Sequence, residues 1–275
     1  MDTVLQALVM GIVQGLTEFL PVSSSGHLIL VPYLFGWDDA FITSLAFSVM
    51  LHIGTMVALL AYFWHDWIRI VPAGFATIRD RSFRDDPDRR LAWLLVAATI
   101  PAAIAGYLLS DFIETSVREV QLVTVMFLSG AAILWVADHV GKRTKDVDDV
   151  TFPVSIAIGA AQALALIPGI SRSGISISAG RFAGLDRPAA ARFAFLMATP
   201  ITLGAIVFEA RKLATGEAGV TVELAPLIVG LLASLVSGML AIHFMLRYLR
   251  TRSLDIFVYY RIVVAIVVFV VWSLR

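Results

Sequence analysis

Residues 11–29 read GIVQGLTEFLPVSSSGHLI, an apolar helix-forming run broken by Pro21, three serines and a glycine. The same cassette returns at residues 159–177 as GAAQALALIPGISRSGISI. At a constant offset of 148, Gly11, Gln14, Leu16, Ser23, Ser25, Gly26 and Ile29 match Gly159, Gln162, Leu164, Ser171, Ser173, Gly174 and Ile177. Seven identities in nineteen positions point to an internal duplication. The copies differ where it matters chemically: Glu18 and His27 occur only in the first, Arg172 only in the second. Two half-sites of unlike charge imply one composite site where the copies meet.

The sequence around the cassettes is that of a membrane protein. The chain is 59% hydrophobic with 15% charged residues, and its mean hydropathy is +0.86, far less charge than a soluble domain carries. Six apolar runs are long enough to cross a hydrocarbon core: Phe41–Trp64, Leu91–Ser110, Gln121–His139, Pro188–Phe208, Leu224–Leu246 and Ile256–Leu274. The cassettes themselves resume for only about ten residues after their breaks. They pair 1–19 with 26–36 and 152–167 with 172–183. Segments this short are re-entrant rather than spanning, because unwound backbone at membrane depth needs protein or a wet cavity around it.

Several classes are excluded. There is no cysteine, hence no disulfide framework or thiolate metal site. A net charge of zero argues against nucleic acid as a partner. Met1–Val13 carries Asp2 in place of a basic leader, so a removable signal peptide is not expected. The polar stretch His65–Arg90 reads as a mixed-charge loop too short for a core of its own. Nothing in the sequence supports a homo-oligomer, although apolar helices permit one.

Charge asymmetry sets the expected orientation. Hairpins that do not cross leave both termini on one side. The opposite side carries Arg69, Arg79, Arg81, Arg84, Arg89, Arg90, Lys142, Arg143, Lys145, Arg181, Arg187, Arg247, Arg250 and Arg252. Only Arg118, Arg211, Lys212 and Arg275 lie on the termini side. The positive-inside rule makes the first set cytoplasmic and the termini periplasmic. The expected fold is therefore an all-α polytopic membrane protein in two inverted repeats. Residues 1–139 hold a re-entrant hairpin (1–36) and spans 41–64, 91–110 and 121–139. Residues 152–275 hold a hairpin (152–183) and spans 188–208, 224–246 and 256–274.

The residues at the junction suit a diphosphate. Glu18 follows Gln14 by four residues and shares its helical face; a carboxylate inside a membrane normally faces a cavity or a partner. Ser23, Ser24, Ser25 and Gly26 form a turn whose hydroxyls and N–H groups can cradle phosphate at a helix start. His27 is a candidate general acid or base. The second copy adds Ser171, Arg172, Ser173 and Gly174, and the planar fork of arginine fits phosphate oxygens. Glu18 can help hold a hard divalent cation, magnesium or calcium. The remaining polar residues have plainer readings. His52 and His243 are expected to be satisfied by neighbouring helices. Arg261 is expected to snorkel or pair. Gly54, Thr55 and Ala58 look like helix-packing residues.

The runs QGLTEFLPVSSSGH and PGISRSG resemble the two signature motifs of undecaprenyl-diphosphate phosphatases, the BacA/UppP family, and the resemblance extends over essentially the whole chain. It implies hydrolysis of the C55 isoprenyl diphosphate to the monophosphate in the bacterial cytoplasmic (inner) membrane. That reaction recycles the carrier lipid for peptidoglycan synthesis and confers bacitracin resistance. The resemblance also implies dependence on a divalent cation, with the metal motif on Gln14 and Glu18. The hydroxyl and histidine positions fall on Ser24 and His27, and the phosphate-binding arginine on Arg172. Gln14 stands where some members have Glu; a neutral amide is no base, so metal binding rests more on Glu18. The attacking group is Ser24 or a water. A polyprenyl-phosphate flippase or secondary transporter would share the inverted repeats. An ion-coupled carrier would hold more than one intramembrane carboxylate, and only Glu18 stands clearly inside.

Overall fold

The computed structural model describes residues 2–83, 86–215 and 221–275, with backbone alone at 110–112, 114–116 and 213–214. Met1, the first residue of the expected hairpin, and Arg84, one of the counted loop cations, lie outside the described residues. The described residues are helical apart from turns, short 3₁₀ segments and one isolated bridge between Lys145 and Leu185. In chain order the helices are α1 (Thr3–Phe19), α2 (Ser24–Phe35), α3 (Leu45–Tyr62), α4 (Trp64–Asp80), α5 (Pro87–Ser116) and α6 (Val120–Val140). Then follow α7 (Phe152–Ala163), α8 (Arg172–Phe182), α9 (Arg187–Ala214), α10 (Leu224–Tyr248) and α11 (Asp255–Leu274). Six of them, α3, α5, α6, α9, α10 and α11, are long and apolar enough to cross a membrane. The chain is an all-α, multi-pass membrane protein.

The structure departs from the expected loop at His65–Arg90. Trp64–Asp80 is a helix, α4, ended by Arg81 in the left-handed region at φ 51°. Its charged residues Asp66, Arg69, Arg79 and Asp80 mask a helical stripe of Ile68, Val71, Phe75 and Ile78, all four exposed. A helix that mixes charges with an apolar stripe in this way is what charge counting reads as a loop. Helices α5 and α9 also run past the expected spans, to Ser116 and Ala214, because polar sequence can continue a helix into the interface.

Both short hairpins are broken at serines with the same unusual backbone. Ser23 has φ 73° and Ser171 has φ 80°, conformations that non-glycine residues adopt at a cost of about 1–3 kcal/mol. Each caps the helix that follows: Ser23 Oγ accepts from the Gly26 N–H at 3.3 Å and Ser171 Oγ from the Gly174 N–H at 3.0 Å. The preceding helices are inserted among the long ones, α1 against α10 and α7 against α5. Gly11 sits directly on the Gly230 carbonyl and Gly159 on the Ala98 carbonyl, so a Cβ at either position would collide with backbone. Close backbone approach at small residues is how membrane helices gain packing without a hydrophobic driving force. Gly54 likewise meets the Leu231 carbonyl, and Thr55 and Ala58 are buried.

Two buried arginines fix the packing, Arg261 at the bends and Arg181 at a cluster of helix ends. Arg261 does not snorkel, and among the described residues it meets no carboxylate. It is 0% exposed, and its guanidinium donates to the carbonyls of Pro21, Met126, Phe127, Gly169 and Ile170 at 2.6–3.2 Å. It therefore bolts both bends to α6, with its charge also over the Phe127 ring at 5.4 Å. Arg181, counted among loop cations, is instead fully buried and lies 3.4 Å from Asp138. Asp138 accepts both fork hydrogen bonds of Arg187, at 2.6 and 2.7 Å, and one from the Leu254 N–H. This cluster gathers the ends of α6, α8, α9 and α11 at one end of the bundle.

Candidate active site

The bends meet, and the two unlike charges meet with them. Arg172, the first residue of α8, donates one guanidinium nitrogen to Glu18 Oε1 and another to Thr202 Oγ1 of α9. The other Glu18 oxygen accepts from Gln14 Nε2 at 2.9 Å and from Ser24 Oγ at 2.5 Å. His52 Nε2 lies 3.4 Å from that oxygen. A carbonyl can only accept, so His52 Nδ1 is the donor in its 2.8 Å contact with Ser48 O, and this fixes the ring. The Glu18 side chain is 3% exposed, a carboxylate sustained inside the fold by four polar neighbours.

Of these groups, Glu18, Ser24, His52, Arg172 and Thr202 line a cavity of about 190 Å³. Glu18, Ser24, Ser25, His52, Gln162, Ser171, Arg172 and Thr202 form its polar wall; Val49, Ala102 and Ile201 contribute to the apolar part. A phosphate in such a cavity meets a guanidinium and a helix start, and a hydroxyl already hydrogen-bonded to a carboxylate. That is the arrangement of a nucleophile beside its base. The apolar part suits the beginning of a lipid chain.

The other residues singled out from sequence lie in the supports of the bends. Ser23 Oγ, besides its cap, accepts from the Gly169 N–H of the opposite bend at 3.1 Å. Ser173 Oγ donates to Leu20 O of the first bend at 2.9 Å. Gly26 and Gly174 give their N–H groups to the caps. His27 has both ring nitrogens engaged: Nδ1 donates to Ser23 O at 2.7 Å, and Nε2 is 2.8 Å from the Tyr260 hydroxyl. Its ring stacks on Tyr260. The imidazole that reaches Glu18 is that of His52, which sequence reasoning had set aside as satisfied by neighbours. His243, set aside likewise, is exposed, its ring 6.4 Å from Tyr62. Thr202 also went unnoticed. The available signal was that a histidine inside an apolar span rarely stands there without a partner.

Among the described residues no three His, Asp or Glu side chains converge as a protein-only metal cage. The donor set fits a cation that keeps waters and leans on substrate oxygens. Glu18 offers a carboxylate, and Gln14 Oε1 is buried with no hydrogen-bond partner among the described residues.

Comparison with known proteins adds an independent line. The family model described as "Bacitracin resistance protein BacA" matches residues 7–267. A protein of Desulforudis audaxviator named undecaprenyl-diphosphatase is 44% identical over 270 residues, 98% of each chain. Proteins of the same name from Moorella thermoacetica and Gemmatimonas aurantiaca are 45% and 44% identical over 273 residues, 99% of each chain.

Proposed function

The chain belongs to the bacitracin resistance protein BacA family, and from that premise we propose that it is an integral-membrane phosphatase of undecaprenyl diphosphate. It releases inorganic phosphate and undecaprenyl phosphate, returning the carrier lipid to peptidoglycan synthesis. The observation that carries this reading is the chain Ser24–Glu18–Arg172: a hydroxyl 2.5 Å from a carboxylate that is itself paired with an arginine.

The isoprenyl tail stays among the lipids while the diphosphate enters the polar cavity. Phosphate oxygens compete with Glu18 for Arg172, and the amides at the start of α8 add positive potential. Drawing Arg172 toward phosphate leaves the Glu18 carboxylate more basic, and the oxygen that already accepts from Ser24 takes the Ser24 proton. Ser24 Oγ then bonds to the terminal phosphorus as the bond to the bridging oxygen breaks, and undecaprenyl phosphate leaves. Water cleaves the phosphoserine, returning the proton to Ser24. His52 orients Glu18 throughout, while His27 holds the first bend. A divalent cation, magnesium or calcium, bound through Glu18 and the Gln14 carbonyl, supplies further neutralisation of phosphate charge.

The same reading takes residues 1–139 and 152–275 as inverted repeats in the bacterial inner membrane, with both termini periplasmic. The matched serine bends and the matched seats of Gly11 and Gly159 support it. So does the imbalance of Lys and Arg between the two sides. Trapping tests the chemistry. Acid quench during turnover should leave phosphate on Ser24 of the wild type and none on Ser24→Ala; turnover retained by Ser24→Ala would assign the attack to water.

A further inference from the structure

Gln162 and Gln14 occupy the same place in the two cassettes, yet their amides have different surroundings. Gln14 donates to Glu18. In the second cassette the position of Glu18 is taken by Leu166, so Gln162 has no carboxylate four residues on. The Gln162 side chain is buried, its residue 2% exposed. Among the described residues neither its Nε2 nor its Oε1 has a hydrogen-bond partner. It lines the same cavity as Ser24, Ser171 and Arg172. A buried amide with both ends unmatched weakens a fold. Gln162 lines the cavity that the diphosphate is read to enter, so a ligand there can supply the missing partner.

We propose that Gln162 binds the substrate headgroup, its Nε2 donating a hydrogen bond to an oxygen of the diphosphate. The duplicated amide has thus diverged: in the first cassette it orients the carboxylate, in the second it contacts the anion. The inference rests on the phosphatase reading for its ligand, while its observations are independent of the Ser24–Glu18 contact.

The test uses purified full-length protein in detergent, with farnesyl diphosphate as substrate probe and inorganic pyrophosphate as binding probe. Gln162→Leu removes the two unmatched polar atoms and keeps the volume. Its melting temperature without ligand should equal or exceed that of wild type, because no hydrogen bond within the protein is lost. Its KM should rise about tenfold or more, the usual scale for a hydrogen bond to a charged group, with the larger part of the loss in KM rather than kcat. Gln162→Glu, which sets an anion against the phosphate, should bind worse still. The upward shift of melting temperature by pyrophosphate should shrink in both variants. A Gln162→Leu protein with wild-type KM and pyrophosphate shift would overturn the inference and leave the phosphatase reading standing. So would a lowered melting temperature without ligand, which marks a structural amide. If wild type hydrolyses neither farnesyl nor undecaprenyl diphosphate, the phosphatase reading fails, and the pyrophosphate shift alone then decides whether Gln162 binds the anion.

Discussion

Glu18 and Arg172 stand 154 positions apart in the chain and form an ion pair at the junction of the two bends. The pair is asymmetric by construction, since each cassette supplies only one member. Arg172→Lys keeps the charge but loses the fork that spans Glu18 and Thr202. Phosphate-release assays should show kcat/KM reduced by about 10²-fold or more, the scale for removing one donor at a phosphate or oxyanion. Glu18→Gln should cost at least as much, and the double variant should fall well short of the product of the two losses, because the residues act as a unit.

The serines should divide into two classes. Ser24→Ala should lose turnover while melting like wild type, since among the described residues the Ser24 hydroxyl hydrogen-bonds only Glu18. Ser23→Ala and Ser173→Ala remove ties between the bends. Each should lower stability by about 1–2 kcal/mol, seen as a lower melting temperature in detergent.

The two imidazoles should separate likewise. His52→Ala leaves the bends untouched and should lower kcat by about tenfold or more with little change in melting temperature. His27→Ala breaks contacts to Ser23 and Tyr260 and should lower melting temperature and turnover together. A His27→Ala protein with wild-type stability and no turnover would return His27 to the chemistry.

Arg261→Met would remove a donor from five carbonyls. The expected loss is about 3 kcal/mol or more, read as poor yield and a low melting temperature. Arg261→Lys, with fewer donors, should fall between.

Much of this was legible in the residues. Apolar runs interrupted by serine and glycine announced six spans and two broken hairpins, because a bilayer tolerates few ways of satisfying a backbone. The repeat also made Glu18 and Arg172 stand out, each being the member its twin lacks. Helix α4 was hidden because it mixes charges with its apolar stripe. His52 and Arg261 were hidden for another reason. Each is alone in its span, and its partners come from elements elsewhere in the chain: α1 for His52, both bends and α6 for Arg261. The division of labour among the serines depends on which hydroxyl points into the cavity, and only the positive-φ bends decide that.

The most direct test of the composite site is phosphate release from undecaprenyl diphosphate by purified protein. Wild type, Glu18→Ala and Arg172→Ala would each be assayed with Mg²⁺ and with chelator. The account predicts cation-dependent turnover in wild type and loss of turnover in both variants, with all three proteins folded. Folded wild type that releases no phosphate with any divalent cation would contradict it, as would variants that turn over at the wild-type rate.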